Sequence, residues 1–316
     1  MISRSERPPV LVFGGRGFVG AAAVRRLLAD GDPVHVFGPE SAVRLPADAA
    51  EIPGSIEDAG AVAAAISRLR PGVVVSFAAF SAGPIGLGRS GEADPERTLA
   101  VNVLGFRRML DACVTAGVRR VIWTSSTVVF GRAADSTVRL AEEAPRRPLV
   151  VYGLSKVLAE DVARYYRDRH GLETVALRIP LMLGPGLWYD GAASALKSMV
   201  AAAAPGAAPV FAVPDAAFDA MHVEDAADLV AALRDAPAGL AAVYNVAGFT
   251  TTYQEIVAEL AALVPGYRPS LAPQRPEIVY PLVSQALLER DIGWRHRRGL
   301  RQILADMLAE RRNASP

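Results

Sequence analysis

A tyrosine and a lysine stand four positions apart in the stretch VYGLSKV, at Tyr152 and Lys156. Of the 34 Lys and Arg residues in the chain, only Lys156 and Lys197 are lysine. On a helix, positions i and i+4 emerge on one face. A phenol with a pKa near ~10 is a poor base at neutral pH. Lowering it by ~3 units takes roughly 4 kcal/mol of preference for the phenolate. One cation about 4 Å away in a partly screened site supplies on the order of 4 kcal/mol. A single ammonium is therefore the right size of perturbation. It is also a compact point charge that can reach ribose hydroxyls where a guanidinium fork would fit differently. An ordinary surface pair would not require lysine in a chain that otherwise writes arginine. Tyr152 then reads as a proton-transfer group and Lys156 as its partner. The substrate oxygen needs a second donor, and WTSSTVVFG (Trp123 to Gly131) offers Ser125, Ser126 and Thr127. Ser126 lies at the C-terminal edge of the expected strand, where open α/β sheets bind ligands. Residue chemistry alone leaves the choice among the three hydroxyls open.

The second chemical signal is glycine. Gly14-Gly15-Arg16-Gly17-Phe18-Val19-Gly20 follows one apolar run and opens another. Gly15, Gly17 and Gly20 satisfy G-x-G-x-x-G, the pattern of a tight turn that lets a pyrophosphate approach a helix N-terminus. Dinucleotide sites of the NAD type place an acid near the end of the following strand. Here that strand ends in Gly38, Pro39 and Glu40, with no Asp at its tip. Arg16 and Arg44 could pair with a 2′-phosphate, whereas Glu40 could bind ribose hydroxyls. The balance favours NADP slightly over NAD.

These groups need a scaffold, and the sequence spells one. PVLVFG, PVHVFG, GVVVSFAA, RVIWTSS (Arg120 to Ser126) and TVALRI (Thr174 to Ile179) are continuous apolar strands. Helical runs separate them at Val19 to Ala29, Asp58 to Leu69, Pro95 to Ala116 and Tyr152 to His170. Such alternation predicts an α/β fold, a doubly wound parallel sheet of Rossmann type covered on both faces. Residues 1–180 would form the dinucleotide-binding domain. Residues 181–316 would form mainly a smaller substrate-binding lobe, with a segment near 215–250 returning to the first domain.

Bulk properties narrow the partners. Thirty-four basic residues against 33 acidic ones give a formal charge of +1. That balance offers no electrostatic reason to expect nucleic acid or an anionic membrane. The alanine-rich run Met199 to Pro214 is broken by prolines and cannot span a bilayer. A single cysteine, Cys113, excludes an internal disulfide and fits a reducing, cytoplasmic setting. The N-terminal MISRSERPPV is too short and polar for a signal peptide. The four histidines, His35, His170, His222 and His296, lack metal-ligand spacing.

Together, GGRGFVG, VVVSFAA, VNVLGFRRMLDAC, WTSSTVVFG, YGLSK, LRIPLMLGPG, HVEDAADLV and DIGW resemble the extended short-chain dehydrogenase/reductase family, the NAD(P)-dependent epimerase/dehydratase group. The resemblance covers nearly the whole chain. It implies that Ser126 orients the substrate oxygen, that Tyr152 is the acid/base and that Lys156 is its partner. It also implies that Ala78, Ala79, Asn102 and Pro180 join the glycine loop, Tyr152 and Lys156 around the cofactor. His222 and Asp225 would be structural. Two helices, Pro95 to Ala116 and the one from Tyr152, would build a homodimer. Three departures bear on substrate. Thr127 and Val128 replace the acidic pair of dehydratases. Phe218 stands where nucleotide-sugar enzymes often carry a diphosphate-binding Arg, and Leu181 replaces a usual Asn. The glycine-rich FSAGPIGLGRSGEADP is expected to be a mobile lid.

These features imply an NAD(P)-dependent oxidoreductase acting on a secondary alcohol or ketone of a polar, sugar- or polyketide-like substrate. A (nucleotide-)sugar epimerase with tightly held cofactor would use the same residues. A dinucleotide-binding sensor without catalysis is the reading from another class.

Overall fold

The structure is a computed structural model that describes residues 7–40, 44–133, 138–275 and 279–314. Most of the polar N-terminal stretch discussed above lies outside them. The chain opens with β1 (Val10–Phe13), α1 (Phe18–Ala29), β2 (Val34–Gly38), β3 (Ala50–Pro53), α2 (Ala59–Leu69) and β4 (Val73–Ser76). Next come α3 (Leu87–Ala93), α4 (Pro95–Leu99), a π-helical turn (Ala100–Gly105), α5 (Phe106–Ala116) and β5 (Arg120–Ser126). A short 3-10 turn (Thr127–Phe130) leads towards α6 (Val151–His170) and β6 (Glu173–Ile179). Beyond β6 follow β7 (Leu181–Leu183), α7 (Ser194–Ala202), β8 (Val210–Pro214), β9 (Phe218–His222) and α8 (Val223–Asp235). The chain closes with β10 (Val243–Asn245), β11 (Phe249–Thr251), α9 (Tyr253–Leu263), β12 (Ser270–Gln274), α10 (Ala286–Ile292) and α11 (Leu300–Ala314).

Seven strands form one sheet in the order β10-β6-β5-β4-β1-β2-β3, every pair parallel. The four residues of β1 and of β4 are all buried, which is why they read as unbroken apolar runs rather than alternating ones. Two apolar cores lie against the sheet. One includes α1, α8 and the C-terminal elements; the other includes α2, α5 and α6. Cys113 is fully buried in the second, and burial pushes its thiol pKa up. A three-stranded sheet (β11-β9-β7) and a two-stranded one (β12-β8) make up the smaller C-terminal lobe.

The helix ends follow the chemistry of their residues. Asp58 caps α2 by accepting from the Gly60 and Ala61 N–H groups, at 2.9 and 3.0 Å. Gly117 and Gly171 end α5 and α6 in the left-handed conformation, φ 69° and 67°. Arg120, fully buried at the start of β5, donates to Glu173 at 2.5 Å and to the Ala236 and Pro237 carbonyls at 2.9 and 2.8 Å. It thus satisfies carbonyls at the C-terminal end of α8.

The structure departs from sequence expectation in two places. β3 was not predicted, because its four residues are largely exposed and carry no apolar pattern. The long helix expected over Pro95 to Ala116 contains the π-helical turn at Ala100–Gly105. Within the glycine-rich segment after β4, α3 packs on the start of α6: a Cβ on Gly91 would lie 2.9 Å from the Tyr152 nitrogen. Glu92 accepts the Val151 N–H at 2.7 Å, capping α6 from outside.

Candidate active site

Strand order reverses between β1 and β4, and the crevice beyond their C-terminal ends is where such sheets bind dinucleotides. The glycine loop closes one side of it. Gly14 adopts φ +72°, and a Cβ there would lie 2.8 Å from the Ala78 nitrogen. A Cβ on Gly20 would fall 2.2 Å from the Gly14 carbonyl oxygen, so the helix can start this close to the strand only with glycine. Gly15 is as tight, with Val36 2.8 Å from the same position. Gly17 caps α1 with no side-chain bond among the described residues, and the first turn carries no acid. The helix N-terminus therefore presents backbone N–H donors for an anion. Val19 and the buried Phe18 belong to that first turn, and the half-buried Ala78 and Ala79 lie in the loop that follows β4, Ala78 close to Gly14. This cradle fits a pyrophosphate.

Arg16 leaves the loop towards β2. Its guanidinium donates to the Pro39 carbonyl at 3.1 Å and pairs with Glu51 of β3, while its buried Nε has no hydrogen-bond partner among the described residues. Arg44 and Glu40 are exposed.

The catalytic candidates converge on the other side of the crevice. Ser126, the last residue of β5, is buried, and its hydroxyl lies near the Tyr152 phenol, where it favours the phenolate. Ser125, one position earlier, points to the opposite face and donates to Glu160 at 2.6 Å. Strand alternation thus separates the neighbouring hydroxyls that residue chemistry could not. Lys156 is buried; its Nζ donates to the Thr124 carbonyl at 2.8 Å and lies 5.6 Å from the Tyr152 ring centroid. Burial lowers its pKa to about 8, with the Glu160 carboxylate opposing the shift.

Tyr152 behaves differently from expectation. Its pKa is raised, chiefly by burial, with Tyr189 adding to the effect and the nearby Ser126 hydroxyl opposing it. The i, i+4 spacing brings the ammonium to the right face, 5.6 Å from the ring centroid, while its hydrogen bond goes to the Thr124 carbonyl.

Asn102, buried in the π-helical turn, accepts from the Phe80 N–H at 2.8 Å and donates to Ser155 at 2.9 Å. Ser155 in turn donates to the Tyr152 carbonyl at 2.7 Å. Asn102 therefore ties the loop after β4 to the catalytic helix, with both ends of its amide used inside the protein. π-Helical turns recur at functional sites for such re-aiming of one side chain. Pro180 is buried at the junction of β6 and β7.

Several supporting residues escaped the sequence reading. Glu160, one turn beyond Lys156, receives Arg178 through two bonds, at 2.9 and 2.8 Å, as well as Ser125 and Arg146. Its place in the series Tyr152, Lys156, Glu160 was the available signal. Tyr189 packs edge-on to Phe18, centroids 6.1 Å apart, and so joins the glycine loop to Tyr152. The second lysine, Lys197, holds this segment through the Trp188 and Tyr189 carbonyls and the Asp190 carboxylate, at 3.3, 3.0 and 2.8 Å. His222 accepts the Glu224 N–H at 3.0 Å to cap α8, and Asp225 binds Arg298 at 2.6 Å. Both are structural. Phe218 packs on Tyr253 at 5.2 Å. Among the described residues no cluster of His, Cys, Asp and Glu could hold a metal ion, and no helix is long and apolar enough to cross a membrane.

A parallel sheet with a glycine cradle at its switch point and a Ser–Tyr–Lys cluster beside it defines the dehydrogenase/epimerase class of Rossmann proteins. A family profile described as "NAD dependent epimerase/dehydratase family" matches residues 10–247, and the chain belongs to that family. It is 32% identical over 174 residues to UDP-glucose 4-epimerase of Azospirillum brasilense, covering 54% of this chain and 48% of that protein. It is 44% identical over 86 residues to uronate dehydrogenase of Pseudomonas putida, covering 27% and 31%. The chain thus spans about half or less of the length of these relatives. The structure of Thermus thermophilus UDP-glucose 4-epimerase in complex with NAD superimposes with a TM-score of 0.81 at 26% identity, covering 97% of this chain and 99% of that one.

Proposed function

We propose that the protein is an NAD(P)-dependent oxidoreductase acting on a secondary alcohol or ketone of a polar, sugar-like substrate. The observation that carries this reading is that Ser126 ends β5 close to the Tyr152 phenol and the Lys156 ammonium, beside a glycine cradle that fits a pyrophosphate. A bound nicotinamide supplies or accepts the hydride. Ser126 Oγ orients the substrate oxygen, and Tyr152 Oη delivers or removes its proton. Burial keeps the phenol protonated, which equips it as the acid that ketone reduction needs. In the oxidative direction Tyr152 must give up that proton, and the Lys156 ammonium is the nearby positive charge that favours the phenolate. Asn102, through Ser155, fixes the turn of helix that carries Tyr152. Phe218 offers no grip for a diphosphate, which favours a substrate without one.

The likeness to the Azospirillum and Thermus epimerases supports a second reading, in which the cofactor stays bound and the same residues invert an alcohol centre. The two separate on one experiment: the purified protein is denatured and the released dinucleotide is measured, and in parallel reduced nicotinamide is followed with polar secondary alcohols. An exchangeable site with net reduction supports the oxidoreductase. A stoichiometric, retained dinucleotide with no net redox supports the epimerase. Failure to bind either dinucleotide removes both.

Leu104, in the π-helical turn, and Leu154, Leu158 and Tyr165 on α6 are exposed apolar side chains. They are the face that would pair with a second copy of this chain in a homodimer. Sedimentation of the wild type and of Leu158→Glu tests this, with a dimer and a weakened dimer expected; a monomeric wild type rules it out.

A further inference from the structure

We propose that Glu51 is a cofactor-specificity residue: by holding the Arg16 guanidinium from β3, it selects NAD over NADP. The proposal rests on the dinucleotide reading of the crevice. In sheets of this kind the adenosine ribose lies beyond the C-terminal end of the second strand, where an acid accepts from the 2′-hydroxyl or an arginine receives the 2′-phosphate. Arg16 stands at that place, since its guanidinium reaches the carbonyl of Pro39, just past the end of β2. By residue type it is a phosphate-binding group. Its fork, however, is taken up on one nitrogen by the Pro39 carbonyl and on another by the Glu51 carboxylate.

Glu51 comes from the strand next to β2, whose residues run in parallel register with it, Val36 opposite Glu51 and Gly38 opposite Pro53. The carboxylate that NAD sites carry at the tip of the second strand is here delivered sideways from the third. Its effect on a 2′-phosphate is double. It occupies the nitrogen the phosphate would need, and it sets a negative charge beside a dianion. The exposed Glu40, one residue past Pro39, carries the same sign. A 2′-hydroxyl meets neither penalty and can donate to a carboxylate. The Glu51 side chain is 49% exposed, so the pair contributes little to folding and can be altered without collapse of the sheet.

The test is calorimetric titration of NAD and of NADP into the full chain as wild type, Glu51→Gln, Glu51→Ala and the double variant Arg16→Ala/Glu51→Ala, with circular dichroism confirming the fold of each. The wild type is expected to bind NAD roughly tenfold or more tightly than NADP, the scale of one charge-assisted contact. Both single variants are expected to tighten NADP roughly tenfold, and the double variant to lose that gain. Equal binding of the two cofactors by the wild type overturns the proposal, as does an NADP affinity unmoved in both single variants. A wild type that binds neither dinucleotide takes down the underlying reading as well. A selective wild type whose selectivity ignores Glu51 sinks only the role of Glu51.

Discussion

The two ends of the crevice are held in contrasting ways. At the chemical end, Ser126, Lys156, Asn102, Ser155 and Glu160 are all buried, and each makes a hydrogen bond or ion pair inside the protein. At the adenosine end, the fixing interaction is the pair between Arg16 and the half-exposed Glu51. Buried polar groups are costly to leave unpaired, so the first arrangement is rigid and intolerant. Exposed pairs contribute little to stability, so the second can change at small cost to the fold. Proton transfer needs atoms fixed in place, whereas selectivity needs only the sign and position of a charge.

The largest test of that contrast is Glu160→Ala. It strands the buried Arg178 and Ser125 and should cost about 3–5 kcal/mol in urea unfolding; a loss within that of a surface change would show that the chemical end is not held this way. Lys156→Met comes next, through its pH dependence. The folded pKa of about 8 lies below the ordinary lysine value, so burying the ammonium costs stability. That cost is fully present below pH 8 and is lost as pH rises towards the unfolded pKa near ~10.4. The variant should therefore exceed the wild type by on the order of 3 kcal/mol at neutral pH, and the gap should close across that window. Equal gaps at both ends of the window would contradict the burial argument. Tyr152→Phe should reduce turnover by at least ~10²-fold with dinucleotide binding kept; wild-type turnover would remove the tyrosine from the mechanism. Smallest is Glu51→Gln, expected to change stability by no more than about 1 kcal/mol. A larger loss would place the adenosine end on the same footing as the chemical one.

The sequence made the chemical end readable because its signals are local. Tyr152 and Lys156 share a helix face by spacing, and Gly14 to Gly20 sit between a strand and a helix. What it did not carry is direction and distance. Nothing in YGLSK says how far the phenol is desolvated, and burial is what gave the Tyr152 shift the sign opposite to expectation. Ser125 and Ser126 differ only by the face of β5 they occupy, which needs the strand register. Glu51 was invisible because β3 is short, exposed and unpatterned, and its partner lies 35 residues away. Asn102 was recognised by position in a motif, but its link to Ser155 spans 53 residues and no spacing rule predicts it.

The return of the chain at α8 and β10 has a consequence for how the molecule is made. β10 covers the outer edge of β6, and α8 lies along α1, so both elements complete the seven-stranded half after an excursion of more than forty residues. A ribosome that has released only the first 180 residues has produced an open strand edge and a bare apolar helix face, both invitations to misassociation. The half that looks autonomous in a diagram cannot close until the chain as far as β10, at Val243–Asn245, has emerged. Truncation near residue 180 should therefore yield an aggregating fragment rather than a small cofactor-binding protein.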